Sequence, residues 1–290
     1  MKNGVILAIL ASLIFSIMNA LVKEVSSSIP TAEVVFFRSL IGTIIIFILM
    51  RNSKVSFSTT GIPMLALRGA LGAFYLIAYF YTISKIPLAD ASILAHLSPF
   101  FAVGFSFFLL KERVPKSVIY ILPLTIIGAI LLVKPFQFSS YSLYAFIGIT
   151  SAVFAGAAAT SIRYLSKKHH SYEIVFYFLA TATVVSIPLM WNNFVLPSLR
   201  DLFLLICIGV VSLIGQIYLT KSFTHANVVV VEMTRYIGIV FNAMWGLLFW
   251  KEVPDTLTFI GGMLIIASCV ALSRMKETST KTLNPKVVRT

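Results

Sequence analysis

The sequence predicts an all-α integral membrane protein of ten transmembrane helices, built as two inverted five-helix repeats with both termini in the cytoplasm. Three observations predict it: the composition, ten apolar runs divided by short polar turns, and a self-match at an offset of 140 residues. Of 290 residues, 59% are hydrophobic and 11% charged, and the mean hydropathy is +0.96. A soluble domain carries about 25% charged residues. So few charges cannot cover a water-facing surface, which excludes a soluble enzyme, a nucleic-acid-binding domain and a disordered chain. The net charge of +13 has a simpler origin, because basic residues collect on the cytoplasmic loops of membrane proteins.

The apolar runs fall at 4–22, 32–50, 62–84, 88–110, 117–133, 143–163, 172–191, 200–220, 227–249 and 256–273. A helix needs roughly 20 apolar residues to cross a hydrocarbon core about 30 Å thick, and each run meets or approaches that length. Inside lipid every backbone N–H and C=O must be bonded within its own segment, so the runs are helices. They are too long and too uniformly apolar for barrel strands. Polar or Pro/Gly stretches such as Lys23–Pro30, Arg51–Gly61, Lys134–Ser142 and Asn192–Ser198 supply the turns. Met1–Ala20 has the charge and apolar run of a signal peptide, but its cleavage site is poor and the segment has a counterpart in the second half.

That counterpart appears when the chain is shifted by 140. Lys23 falls on Arg163, Glu33 on Glu173, Val35 on Val175 and Phe36 on Phe176. Phe108–Pro115 (FLLKERVP) falls on Leu248–Pro254 (LFWKEVP), with Lys111 and Glu112 on Lys251 and Glu252. Residues 1–138 form the first repeat, 139–275 the second, and 276–290 a basic cytoplasmic tail. Five spans is an odd number, so the second half enters the membrane from the opposite side, an arrangement many secondary transporters use. With the N-terminus inside, fifteen Lys and Arg lie on cytoplasmic loops and tails against five outside, the asymmetry expected of this orientation. Cys207 and Cys269 both lie in apolar runs without metal-ligand spacing and read as packed thiols.

Arg68–Pro99 (RGALGAFYLIAYFYTISKIPLADASILAHLSP) carries a family likeness: an Arg-Gly entry, a tyrosine-rich middle, a short turn and a small-residue start leading to Pro. With the paired Lys-Glu/Val-Pro endings and Gly261-Gly262, residues 4–273 resemble the EamA branch of the drug/metabolite transporter superfamily. The resemblance implies a carrier of small organic metabolites in the cytoplasmic (inner) membrane, similar to exporters of amino acids and related metabolites or to uptake systems for nucleoside-like compounds. Ile239 stands near the place where the repeat would put Pro99, a departure from strict symmetry of the halves.

A charge at the bilayer centre costs about 2.5–3.5 kcal/mol on insertion scales, so intramembrane polar groups are the candidate site. Arg235 sits near the midplane of span nine with Glu232 one turn earlier. The pair either neutralises itself or divides the work, the arginine fork taking a substrate carboxylate or phosphate and Glu232 titrating or binding an amine. His96 in span four falls on Tyr236 by the offset, placing both at the depth where repeat-interface sites lie. Arg38 in span two reads as cavity-facing, whereas Arg68 either faces the cavity or snorkels. Tyr75 and Tyr79, an i,i+4 pair, and Asn242 and Trp245, an i,i+3 pair, complete the candidates. Ser12, Ser16 and Asn19 form a stripe on span one, and Gln216 lies late in span eight. Such stripes bind either neighbouring helices or a solute. The substrate-binding set is thus Arg38, Tyr75, Tyr79, His96, Glu232, Arg235, Tyr236, Asn242 and Trp245. Proton-coupling candidates are His96, Glu232 and Asp90, although Asp90 at a helix start also suits a solvated carboxylate.

The leading expectation is a secondary active carrier working by alternating access, driven by protons or by exchange. The sequence holds no P-loop, HExxH or GxSxG motif and no Cys/His cluster. The expectation is therefore no enzyme activity, no cofactor and no metal. A lipid-modifying membrane enzyme would need clustered acids or histidines at one membrane face, and a channel would need rings of like charge. The expected partners are a small-molecule substrate and the lipid bilayer, with no nucleic acid, and the protein is read as a monomer or homodimer.

Overall fold

A computed structural model of the chain describes residues 2–98, 100–102, 104–105, 123–124, 127–128, 130–131, 140–225, 231 and 234–268. The described residues are helices joined by turns. They comprise α1 (Lys2–Val25), α2 (Thr31–Asn52), α3 (Ile62–Lys85), α4 (Leu88–Ala95), α5 (Ser140–Leu165), α6 (Ser171–Met190), α7 (Leu199–His225), α8 (Ile237–Trp250) and α9 (Thr256–Ser268). Six of these, α1, α2, α3, α5, α6 and α7, are long and apolar enough to cross a membrane. The fifth predicted span lies mostly outside the described residues, as do Glu232, Cys269, the Phe108–Pro115 match and the tail 276–290.

The turns follow from their residues. Pro30 and Pro87 precede α2 and α4, where an extended residue without an N–H suits a helix entry. Gly61 before α3 has φ +76°. A Cβ there would also stand 2.7 Å from His169 Nε2, so any other residue would be strained. Serine and threonine hydroxyls bond carbonyls three or four residues back, as Ser12 does to Ala8 (2.9 Å) and Ser186 to Ala182 (2.8 Å), which lets them sit inside an apolar bundle.

The exterior is apolar and the interior partly polar. Phe203, Val240, Leu248, Phe249 and Phe259 are exposed, whereas Ser16, Glu33, Arg38 and Ser212 are buried. This suits a lipid solvent rather than water. α1 packs on α7 and α8, α2 on α6 and α7, α3 on α5 and α6, and α4 on α5 and α8. A shift of 140 residues carries α1 onto α5, α2 onto α6 and α3 onto α7. Contacts among these six then exchange: α1–α7 maps to α5–α3, α2–α7 to α6–α3, and α2–α6 to itself.

Two pairs of positions 140 apart also play matching parts. The Glu173 carboxylate at the start of α6 accepts from Ser58 N (2.7 Å) and Ser58 Oγ (2.9 Å), in the loop before α3. Glu33 at the start of α2 accepts from Val195 N (3.0 Å), in the loop before α7. Each half thus pins a loop of the other.

Candidate functional site

The fourth predicted span is not one continuous helix. α4 ends at Ala95, His96 and Leu97 form a turn, and helix resumes at Ser98. Proline 99 explains it chemically: a proline lacks the N–H that would bond the carbonyl four residues back, and its ring crowds that carbonyl. The tightened bonds Leu97 N to Leu94 O and Phe100 N to Leu97 O, both 3.1 Å, span three residues rather than four. A second break stands 140 residues on, where Thr234 and Arg235 are helical, Tyr236 is a turn and α8 begins at Ile237. No proline lies there.

Side chains from one break serve the backbone of the other. Tyr236 Oη donates to His96 O at 2.7 Å, and His96 Nε2 lies 3.0 Å from Arg235 O. His96 Nδ1 lies 2.6 Å from Ser92 O. The imidazole therefore has a carbonyl at each nitrogen. A neutral ring donates to one of them and a protonated ring to both. Broken helices meeting near mid-bundle free backbone groups for ligands, and transporters place substrate sites there.

Beside the two breaks lies a cavity of about 90 Å³. Its lining includes Arg38, Arg68, Tyr75, Tyr79, His96, Arg235 and Asn242, with Ser12, Ser16 and Asn19 of α1. That volume is below the ~300–1,000 Å³ of usual ligand pockets, so this conformation holds water-sized guests. One flank is a hydrogen-bonded chain. Asn19 Nδ2 donates to Tyr79 Oη (3.0 Å) and Asn242 Oδ1 (3.3 Å), and Asn242 Nδ2 donates to Ser92 Oγ (2.9 Å), tying α1, α3, α4 and α8 together. Tyr75 stacks on Tyr79 with centroids 5.6 Å apart. On the other flank Arg38 and Arg68 lie against the Phe178 ring, 5.7 Å and 4.5 Å from its centroid.

Six of the sequence-predicted residues, Arg38, Tyr75, Tyr79, His96, Arg235 and Asn242, thus line one cavity. Tyr236 and Trp245 are placed behind it. Tyr236 joins the two breaks, and Trp245 Nε1 donates to Ser16 Oγ (3.0 Å) while its ring stacks on Phe249. Asp90 accepts from Tyr141 Oη and is not among the lining residues. Glu232 lies outside the described residues. Arg68 belongs to the lining, which settles its position between cavity and interface. Phe178 and Gln216 line the cavity too. Phe178 carries no sequence signal, being one of 24 phenylalanines.

Lys23 marks one end of the bundle. Its ammonium pairs with Glu252, donates to Ile86 O (3.2 Å) and lies 5.6 Å from the Trp250 centroid. Glu252 also accepts from Leu88 N (2.9 Å). This knot joins the end of α1, the entry of α4 and the exit of α8. Among the described residues no group of three or more His, Cys, Asp or Glu is placed to hold a metal ion.

A profile of the EamA-like transporter family matches residues 2–134 and again 142–274. The pseudopaline exporter CntI of Pseudomonas aeruginosa is 60% identical over 278 residues, spanning 96% of this chain and 98% of its own. The S-adenosylmethionine uptake transporter of Rickettsia prowazekii is 24% identical over 96% of each chain. A solved crystal structure at 19% identity covers 96% of this chain and 99% of its own with a TM-score of 0.67, a likeness of fold.

Proposed function

Because the chain belongs to the EamA-like transporter family, and so is a multi-pass cell-membrane transporter of small molecules rather than an enzyme, we propose that it exports pseudopaline or a close chemical relative from the cytoplasm. The observation that carries this reading is the 60% identity to a pseudopaline exporter over 96% of the chain.

The proposed mechanism is alternating access by two five-helix repeats, 1–138 and 139–275, of ten spans in all, inverted relative to one another with both termini in the cytoplasm. The pairwise exchange of helix contacts under the 140-residue shift and the paired breaks at His96 and Tyr236 support it. In the state described, the Lys23–Glu252 knot holds one end together while the cavity is too small for a metabolite. Loading requires the cavity to widen and release requires the knot to part. Arg38, Tyr75, Tyr79, His96, Arg235 and Asn242 would contact the solute, with Glu232 as a further candidate and Tyr236 and Trp245 holding the frame.

Protons are the proposed coupling ion, with His96 as their carrier. Both its ring nitrogens face carbonyls, Ser92 O at Nδ1 and Arg235 O at Nε2, so taking up a second proton adds a donor where an acceptor already stands. Tyr236, with its ring centroid 5.1 Å away, is the third polar neighbour.

Complementation tests the export reading. A pseudopaline-producing strain lacking its own exporter should regain pseudopaline in the medium when this chain is expressed. Pseudopaline retained in the cells, with the protein present in the membrane, would refute the proposal.

A further inference from the structure

Arg38 on α2 and Arg68 on α3 are 1% and 4% exposed. Both rest on the Phe178 ring, and Arg38 also lies 5.8 Å from the Phe80 centroid. The rings offer their π faces to the cations but accept no ordinary hydrogen bond from them. Nε and Nη1 of both residues are buried without a hydrogen-bond partner. Among the described residues no carboxylate forms an ion pair with either one. Glu33, one and a half turns before Arg38 on α2, spends its carboxylate on Val195 N instead. Both arginines line the same cavity, and no Asp or Glu appears among its described lining residues.

This arrangement is unfavourable for an empty protein. Two like charges share a desolvated site with idle donors, and a buried charge is normally paired. Three cation–π contacts offset part of that cost and no more. Lysine would suffice to make a cavity positive. Two planar forks, held beside aromatic rings and entering from different helices, are suited instead to a planar oxyanion that takes parallel N–H bonds.

We infer that Arg38 and Arg68, mounted on Phe178, form a paired-guanidinium subsite for the carboxylate groups of the transported solute. The inference rests on the transport reading above and narrows it to a solute class: organic acids bearing at least one free carboxylate, with two needed to balance the pair. A cationic solute is disfavoured by a guanidinium pair that has no carboxylate among the described lining residues. Phe178 is a positioning residue that fixes both forks.

The test uses the full chain in its membrane. Organic solutes in the medium of expressing cells are compared by untargeted mass spectrometry with a vector control, for the wild type, Arg38→Gln, Arg68→Gln and both lysine variants. The purified proteins are melted alone, with the exported solute, and with inorganic phosphate. We expect the exported solute to carry a free carboxylate and to raise the melting temperature of the wild type more than phosphate does. Each glutamine variant should lose tenfold or more in export and most of that ligand-induced shift, and the lysine variants should fall between. Melted without solute, the glutamine variants should be as stable as the wild type or more so, because an unpaired buried charge is gone. A structural arginine would give the reverse, a lower melting temperature that accounts for the lost export, and that result overturns the inference. So does wild-type export by either glutamine variant, or an exported solute whose only anion is a phosphoryl group or which carries none. If the wild type exports nothing above the vector control, the transport reading falls and the inference falls with it.

Discussion

Replacing Glu173 with glutamine should destabilise the protein distinctly more than the same change at Glu33, although the two stand 140 residues apart in matching places. Glu173 is 1% exposed and accepts three contacts: Ser58 N at 2.7 Å, Ser58 Oγ at 2.9 Å and His169 Nδ1 at 3.1 Å. Glutamine keeps one acceptor oxygen for Ser58 N and turns an amide NH2 toward Ser58 Oγ and His169. A hydrogen bond to a charged group contributes about 1.5–3 kcal/mol and a neutral one about 0.5–1.5. Weakening three such contacts, at about 1 kcal/mol or a little more each, therefore costs about 3–4 kcal/mol. Glu33 has one described contact, Val195 N at 3.0 Å, and its Oε1 is buried without a partner. Glutamine preserves that contact as a neutral bond, at a cost of about 1 kcal/mol. At roughly 2–4 °C per kcal/mol, thermal unfolding in one detergent should fall by roughly 6–16 °C for Glu173→Gln and by roughly 2–4 °C for Glu33→Gln. Equal shifts, or a larger one at Glu33, would refute the assignment of these carboxylates as loop pins of unequal strength.

At the Lys23 end, Glu252→Gln keeps an acceptor for Leu88 N and loses the charge attraction, about 1 kcal/mol for a partly exposed pair. Glu252→Ala also strands the Leu88 N–H, a further ~1–3 kcal/mol. Hydrogen exchange in segment 86–92 should accelerate about fivefold in the first and at least tenfold in the second, and unchanged exchange would show that the knot does not hold that end. His96→Gln should abolish the response of export to an imposed pH gradient while leaving the protein folded. A pH response equal to the wild type's would place the coupling proton elsewhere.

Much of the fold was legible because a bilayer leaves few choices. α2 and α3 start within a residue of their predicted positions, since an apolar run bounded by Pro30 or by Gly61 has one sensible reading. α7 reaches His225, past the predicted 220, because a helix continues into polar sequence once its hydrogen bonds are running. The run 88–110 concealed the break at His96, although Pro99 stands three residues on. The partner break at Tyr236 had no local signal, since Ile239 has none of proline's constraints; only the offset pointed to it. Charged and amide residues of the cavity were legible because each is expensive in an apolar run. Trp245 donates its indole N–H to Ser16, a residue of the cavity lining, as an indole out of water must find an acceptor. Phe178 was invisible because its role depends on two arginines from other helices.

The lacing of the two helix breaks bears on how such a molecule avoids leaking. His96 and Tyr236 each hold a carbonyl belonging to the opposite break, so neither segment can tilt away and leave the other undisturbed. Motion that unfastens one crossing strains its twin at the same depth. Sharing a single clasp between both moving parts would make the opening of one doorway the event that bars the other, and would keep the membrane sealed against ions through every cycle.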